Sequence, residues 1–249
     1  MRHLFFLVFI LSTFSASGQI LNIESLRKVT DTSGFTGFAS LDFSLKRDKN
    51  KYYEIGNEIH VQYKMRKHLV LWKNDLHLKS IEGNKFENSA VAHLRYNYRF
   101  HPSIAGEIFV QAQYNKVSKI DFRGLIGLGP RFKLTNHEDY KVYLGLTMMY
   151  EQEELDDKSI PVQRDFRGSS YVSFSLHPTS VLSIVGTTYY QPKIKDFKDY
   201  RVSSETSLVF NVFTKLAFKT SYVFIYDSYT AQDIPTSQYE LKTGVVYNF

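Results

Sequence analysis

The sequence predicts an all-β protein, a transmembrane antiparallel up-and-down β-barrel of about twelve strands. Three observations predict this fold. Apolar and polar residues alternate with a period of two along most of the chain, and no convincing helical pattern interrupts them. The connections between these segments are alternately short and long. The chain also ends on an aromatic residue, Phe249, inside an alternating segment rather than in a polar tail.

The N-terminal stretch MRHLFFLVFILSTFSASGQ has a short basic start, an apolar run and then small residues ending at Gly18. This order predicts a secretory signal peptide over residues 1–18. The alternative, a membrane anchor, is disfavoured because the apolar run is shorter than the roughly 20 residues that span a bilayer. Residues 19–32 are then expected to form a periplasmic N-terminal segment, followed by the outer-membrane barrel over residues 33–249.

The alternation is sharpest in AVAHLRYNYRF, where Leu94, Tyr96 and Tyr98 share one face while Arg95 and Asn97 share the other. Successive side chains of a strand point to opposite faces, so each such segment has one apolar, aromatic face and one charged face. Segments of this kind predict strands near 33–47, 51–66, 68–80, 85–100, 103–117, 120–135, 139–154, 163–177, 180–193, 198–213, 215–229 and 235–249.

The connections predict how the strands are arranged. Short ones (MRKH, FHPS, TNHED, HPTS and FTK) alternate with longer or more polar ones (KRDKNK, SIEGNK, NKVSK, EELDDKSIPVQRD, KIKDFK and DSYTAQDIPTS). In outer-membrane barrels the tight turns face the periplasm and the longer loops face outside. An even number of strands then places both termini on the periplasmic side.

The aromatic residues favour a membrane barrel over a soluble one, whose apolar face would point inward. A band toward the short connections contains Trp72, Tyr98, Phe132, Tyr247 and Phe249. A band toward the long connections contains Tyr53, Tyr114, Tyr150, Tyr190 and Tyr226. Two aromatic bands on the apolar face are typical of a protein that meets both interfaces of a bilayer.

The opposite face carries side chains of both signs at similar heights, so these charges can pair inside a barrel. Their balance predicts no selectivity for anions or cations. The candidate lumen residues are His60, Lys73, His93, Arg95, Arg123, Arg131, Glu151, Arg167, Glu205 and Lys219.

The ending KTGVVYNF resembles the recognition signal of bacterial outer-membrane barrels. The matching positions are Lys242, Gly244, Tyr247 and Phe249. The resemblance implies that the barrel assembly machinery reads this segment. The alternative is the buried last strand of an exported soluble β-protein. In a membrane barrel the last strand must also pair with the first, because unpaired backbone groups are costly in lipid.

Residues 106–155, GEIFVQAQYNKVSKIDFRGLIGLGPRFKLTNHEDYKVYLGLTMMYEQEEL, resemble the salt-induced outer-membrane protein family, a domain of unknown function. The similar elements are a polar hairpin (QYNK), an arginine after a turn, a Gly-x-Gly strand and a Tyr-Glu-x-Glu strand end: Arg123, Gly127, Gly129, Tyr150, Glu151 and Glu153. Pro130, directly after the second glycine, departs from the family pattern. The resemblance implies an outer-membrane barrel and no established activity.

The candidate residues for catalysis or metal binding predict neither an enzyme, nor a metal, nor a cofactor. A barrel lipase needs Ser, His and a polar residue converging at the lipid face near the long loops, and no histidine is placed there. If the MRKH turn pairs Met65 with His68, then His60 lies opposite Lys73. A loop centred near Gly83 would place His93 opposite Lys73 as well. A lysine ammonium between two histidines repels a metal cation, so a hydrogen-bonded lumen lining is expected instead.

Smaller features complete the predictions. Inward-facing Gly127, Gly129 and Gly145 should leave room for a bulky side chain. Pro130 has no N–H to donate, which predicts a β-bulge near the periplasmic rim. The loop EQEELDDKSIPVQRD is rich in carboxylates, for which we weigh a divalent-cation site against an ordinary solvated loop.

The expected function is therefore a structural or small-solute pore barrel in the outer membrane of a Gram-negative-type bacterium. The alternatives are a lipid-modifying enzyme of that membrane and an exported soluble lipid-binding barrel. Expected partners are membrane lipid, lipopolysaccharide and the assembly machinery. A nucleic-acid partner is not expected, because the net charge of +6 is dispersed along an exported chain.

Overall fold

The computed structural model describes residues 33–47, 51–81, 84–135, 137, 139–157, 159–213, 216–231 and 233–247. They form one antiparallel sheet of twelve strands in sequential order. The strands are β1 (Gly34–Arg47), β2 (Lys51–Met65), β3 (His68–Ile81), β4 (Asn84–His101), β5 (Ile104–Asn115), β6 (Ile120–Lys133), β7 (Tyr140–Leu155), β8 (Gln163–Leu176), β9 (Leu182–Lys193), β10 (Asp196–Phe213), β11 (Leu216–Asp227) and β12 (Ser237–Tyr247). No helix of this described part is long and apolar enough to cross a membrane, which is a statement about helices alone.

The all-β, up-and-down prediction is confirmed. Each predicted strand is present, and each predicted end lies within two residues of the observed one. The predicted signal peptide and the segment 19–32 lie outside the described residues. After β2 the chain turns tightly at Arg66, and the φ of 52° at this residue allows Met65 to pair with His68. The predicted MRKH turn is thus observed.

The predicted pairing of the last strand with the first is not found among the described residues. Here β12 pairs with β11 and β1 pairs with β2, and the strand order is linear. Strands that neighbour each other in sequence are joined by a connection that fixes their register, whereas β1 and β12 have none between them. Only contacts distant in sequence could set that seam, so local patterning does not specify it.

The sheet is nevertheless rolled, because side chains reach across its concave face. The Tyr171 hydroxyl of β8 donates to Glu107 of β5 at 2.6 Å. An Arg201 guanidinium nitrogen of β10 lies 2.6 Å from Glu151 of β7. Each contact spans three strands, so the concave face encloses a lumen.

The long connections also meet. Lys119, between β5 and β6, lies 3.3 Å from Asp233, between β11 and β12. These connections are separated by six strands in the sheet order. The loop end of the barrel is therefore drawn together across its diameter.

The two faces of the sheet are opposite in character, as the alternation predicts. Along β5, Glu107, Gln111 and Gln113 are buried, while the intervening Ile108 and Val110 are exposed. The pattern holds through the middle strands, where burial alternates residue by residue. Polar side chains thus fill the interior and apolar ones cover the outside, which is the reverse of a soluble barrel.

The inward glycines make the room that the sequence predicts. A Cβ at Gly127 would lie 2.5 Å from the Phe109 ring, and one at Gly145 would overlap the Tyr171 ring. Both aromatic rings therefore lie across the lumen over glycine backbone. The third inward glycine, Gly129, instead abuts the backbone of β7 at Leu146.

The bulge predicted at Pro130 is wrong. The register of β6 with β5 runs unbroken from Arg123 to Phe132. On the other side, β6 and β7 leave Gly129 and Pro130 without partners and then resume in the same register. The proline removes ladder contacts but inserts no extra residue, so the strand does not bulge.

Candidate functional site

The half of the lumen nearest the long connections contains a cluster of arginines and carboxylates, here called the loop-end network. Its members are Arg123, Glu151, Glu153, Arg167, Asp199, Arg201 and Asp227, all buried and supplied by β6, β7, β8, β10 and β11. All seven lie in the parts of their strands nearest the long connections, so they form one layer across the barrel.

Arg201 is the hub of this layer. Its Nε donates to Asp227 at 2.8 Å, and its terminal nitrogens donate to Glu151 at 2.6 Å and to Glu153 at 3.2 Å. Arg123 completes the other side of Glu153 by donating to the same carboxylate. The planar fork of a guanidinium suits such multiple contacts with carboxylates.

Arg167 extends the layer toward β9. Its Nε donates to Glu151 at 3.0 Å, and another nitrogen lies 2.8 Å from Asp199. Lys193 in turn lies 2.8 Å from Asp165 and 3.7 Å from Asp199. Opposite charges therefore alternate around the wall, which compensates the cost of taking each charge out of water.

The half of the lumen nearest the short turns contains a second cluster, here called the turn-end network. Its members are Arg95, Asn97, Glu107, Arg131, Tyr143 and Tyr171. Glu107 lies at its centre, because it accepts from Asn97 at 2.5 Å and from Tyr171 at 2.6 Å. Arg131 and Arg95 lie 3.6 and 3.8 Å from its oxygens. A single carboxylate thus faces two guanidinium groups.

Between the two networks the lumen is narrow. Phe109, Met149, Tyr171 and Tyr189 project into it together with members of both networks, and they leave a cavity of only about 30 Å³. A cavity of this size has room for only a few water molecules, since one water needs about 10–15 Å³ of such space. Side chains therefore constrict the lumen at the waist of the barrel.

Eight of the ten predicted lumen residues are buried in this interior, from His60 to Arg167 along the chain. Two differ. Glu205 is half-buried, and Lys219 is exposed although it shares a strand face with buried Ala217 and Ser221. Lys219 lies near the start of β11, on the side of the barrel where the seam is.

The predicted pairing of His60 and His93 with Lys73 is observed in the registers of β2, β3 and β4. The lysine Nζ lies 3.6 Å from Glu58 and 3.5 Å from Asp75. His93 lies 2.9 Å from Gln111 and stacks on Phe109. Within the described residues, no three histidine or carboxylate groups are arranged to hold a metal ion.

The acid-rich stretch does not converge on one point. Glu151 and Glu153 face the lumen and contact arginines, whereas Asp156 and Asp157 are exposed. Asp157 accepts from the hydroxyl and the backbone N–H of Ser159, and these hydrogen bonds lower the pKa of Asp157. These four carboxylates therefore divide between lumen and loop, which disfavours a shared cation site.

Sequence reasoning missed several members of the networks, above all Arg201, Glu153, Asp199 and Asp227. A signal for Arg201 was present, since it lies four residues from Glu205 and hence on the same strand face. Tyr171 carries no such signal. Its contact with Glu107 joins strands that are not neighbours, and alternation contains no information about contacts across a lumen.

The predicted assembly signal is only partly described. The backbone of β12 includes Lys242, Gly244 and Tyr247, and Gly244 pairs with Lys219. Phe249 and the side chains of Lys242 and Tyr247 lie outside the described residues. The role of this segment stays a prediction.

Fold and lumen together define an antiparallel up-and-down β-barrel with an apolar exterior and a charged interior. The chain belongs to the family described as "Protein of unknown function, DUF481", whose family model matches residues 30–249. That description mentions no response to salt, so the salt-induced resemblance stays a prediction. No curated protein matches the chain.

Solved structures with a similar fold include the NanC porin in a rhombohedral crystal form. It is 12% identical, with 86% of this chain and 98% of that chain covered and a TM-score of 0.51. A chain described as a bacterial polysaccharide outer membrane secretin is 8% identical, with 86% and 91% covered and a TM-score of 0.45. At this identity, the likeness to the porin concerns the fold alone.

Proposed function

We propose that the chain is an outer-membrane barrel of structural or small-solute pore type, exported by its signal peptide in a Gram-negative-type bacterium. The observation that carries the proposal is the apolar outer wall. Leu128 and Met148 pair across β6 and β7 and are 63% and 55% exposed, and the next outward pair, Ile126 and Tyr150, leads to Phe166 on β8. Such a continuous apolar surface is rare on soluble monomers and is what a lipid bilayer covers.

The shape of the lumen is consistent with a narrow pathway for small solutes. Two charged networks and an aromatic waist line the lumen, and the space between the two networks has room for only a few water molecules. A barrel of this kind would admit water and small ions, or would serve mainly as a wall element of the envelope.

The proposal includes no enzymatic activity. His177 lies 2.9 Å from the Ser183 hydroxyl and 3.2 Å from the Ser175 hydroxyl, at the exposed short-turn end. Among the described residues no carboxylate contact to His177 is found that would orient it as a catalytic base. The site is also at the opposite end of the barrel from the long loops, where a lipid-modifying enzyme of the outer leaflet needs it.

Membrane location is tested by cell fractionation and by gel mobility. The protein should fractionate with outer membranes, and its unboiled band should migrate differently from the boiled band because a closed barrel resists detergent. A cytosolic protein and a known outer-membrane protein serve as fractionation controls. Recovery in the soluble periplasmic fraction would overturn the proposal in favour of the exported lipid-binding barrel.

Conductance in planar bilayers separates a pore from a purely structural barrel. We expect small single-channel currents from the wild-type protein, and larger ones from Phe109→Ala, because that ring lies across the waist over Gly127. The control is Phe122→Ala, which truncates an outward-facing ring. Equal currents from both variants would contradict the assignment of the waist as the constriction, and no current from any of them would favour the structural role.

A further inference from the structure

A cavity of about 200 Å³, here called the basic cavity, lies at the short-turn end of the barrel, between β2 and β7. Basic side chains dominate its lining, which includes Lys64, Arg66, Lys67, Arg99, Arg131 and Lys133, with His68 and His101. No aspartate or glutamate lines it within the described part of the chain. Its lining is therefore strongly cationic.

The basic cavity differs from the loop-end network in how its charges are balanced. There, each guanidinium lies beside at least one carboxylate, so the charges are compensated within the protein. In the basic cavity, six cationic side chains meet. Arg131 lies beside Glu107, whereas the described residues place no carboxylate within ion-pair distance of Arg66, Lys67, Arg99 or Lys133. Placing like charges together costs free energy, which an anion from solution would offset.

The floor of the basic cavity is fixed. The Arg131 guanidinium lies 3.7 Å from the centre of the Tyr143 ring and is also held near Glu107. Asn97, another lining residue, is tied to the same carboxylate. Both side chains are largely buried, so their orientation is set before any ligand arrives, and their interactions with a ligand are screened less than at a surface.

The rim of the basic cavity is exposed and positively charged. Arg66, Lys67 and Arg99 are exposed around the β2–β3 turn. Arg99 donates to the Arg66 carbonyl at 3.4 Å, and its backbone N–H donates to the Lys67 carbonyl at 2.9 Å. The turn is therefore fastened to β4, and its cations surround the mouth that leads to Arg131.

We propose that the basic cavity binds a small soluble oxyanion, namely a solute of about one hexose ring that carries a phosphate or a carboxylate. Guanidinium forks bind both groups through paired hydrogen bonds, and the lysines add charge without strict geometry. The volume is below the roughly 300 Å³ at which pockets for drug-sized ligands begin, so the solute is small. The inference deepens the proposed function, because it rests on a barrel that handles solutes.

Isothermal titration calorimetry on the folded protein in an uncharged detergent tests the proposal without any bilayer. The probes are glucose, glucuronate and glucose 6-phosphate, which share a ring and differ in charge. We expect binding of one or both charged sugars, no binding of glucose, and weaker binding as salt is raised. Absence of binding by both charged sugars at low salt would overturn the inference while leaving conductance and fractionation unaffected.

A matched pair of variants separates a site from general attraction to a basic protein. Lys67→Gln/Arg99→Gln removes two rim charges from the basic cavity. The control, Arg164→Gln/Lys198→Gln, removes two exposed charges at the loop end. The first variant should weaken binding at least tenfold and the second should leave it within twofold. If both variants weaken sugar binding equally, the binding depends on the net charge of the protein, which would contradict a defined site.

A membrane phosphate is the other source of the same chemistry. Phosphatidylglycerol added to the detergent should not displace glucose 6-phosphate if the basic cavity opens to the aqueous lumen. Binding of that lipid together with failure of the soluble sugars to bind would instead identify a lipid headgroup site and overturn the proposal. Both variants must keep the gel mobility difference between unboiled and boiled protein, which shows that the barrel is folded.

Discussion

At the scale of single residues, the lumen depends on a few arginines that each serve several carboxylates. Arg201 contacts Asp227, Glu151 and Glu153, and it does so from a strand that is not adjacent to β7. Removing it would leave three buried carboxylates with less compensation. The loss is larger than that of an ordinary ion pair, because exposed pairs contribute only about 0–1 kcal/mol.

We expect Arg201→Met to destabilise the folded barrel by about 3–5 kcal/mol, the typical cost of breaking a buried pair by removing one partner. The measurement is the temperature at which the unboiled band disappears on gels. Arg164→Met is the control, because Arg164 is exposed and reaches Gln152 only at 3.5 Å. If both variants lose the folded band at the wild-type temperature, the loop-end network does not contribute to stability.

Some of these residues were predictable and some were not. The period of two identified the inward faces that carry Arg123, Glu151 and Arg167. The connections placed His60 and His93 opposite Lys73, because the MRKH turn and the loop near Gly83 set the register of neighbouring strands. The Tyr171–Glu107 contact could not be predicted from the sequence, because it depends on the curvature of the sheet and not on any local pattern.

At the scale of strands, β5 shows both the strength and the limit of alternation. Its inward side chains are polar and buried, and its outward side chains are apolar and exposed. Strand ends were predictable because turn residues and the end of alternation coincide. The Pro130 bulge was predicted wrongly, because a missing N–H can be accommodated by an interrupted ladder without an inserted residue.

Two substitutions on the outer face of β5 test whether that face meets lipid. Val110 is near the middle of the strand and Ile104 is its first residue, and both are exposed. We expect Val110→Arg to destabilise the barrel by about 2–4 kcal/mol and Ile104→Arg by about 0–1 kcal/mol, since charge is costliest at the bilayer centre. Denaturant unfolding in lipid vesicles gives both values. A negligible cost at Val110 would argue against a lipid-facing wall.

At the scale of the whole molecule, the seam between β1 and β12 differs from the rest of the wall. Every described strand pair joins strands that are consecutive in the chain, and the described residues do not join β1 to β12. An unpaired strand edge in lipid costs several kcal/mol per exposed backbone group. We therefore propose that the predicted assembly signal in the C-terminal segment directs the closure that local patterning leaves unspecified.

We expect Phe249→Asp to lower the amount of assembled barrel in outer membranes several-fold, because the substitution places a charge at the end of the predicted assembly signal. The measurement is the fraction of heat-modifiable protein after matched expression. Phe249→Leu keeps an apolar terminus and should assemble much better than the aspartate variant. If Phe249→Asp assembles as efficiently as the wild-type protein, then the terminal residue is not part of the assembly signal.

The unequal distribution of cross-lumen contacts has a mechanical consequence. The described bridges from Tyr171 to Glu107 and from Arg201 to Glu151 tie β5 to β8 and β7 to β10, whereas the described ion pairs of Lys73 reach Glu58 and Asp75 on β2 and β3. The described bridges therefore brace the wall between β5 and β10 across the lumen, and the Lys119–Asp233 pair joins two long connections at the loop end. In the bilayer that we propose, lateral compression should therefore deform the wall less between β5 and β10 than next to the seam between β1 and β12, which the described residues do not join.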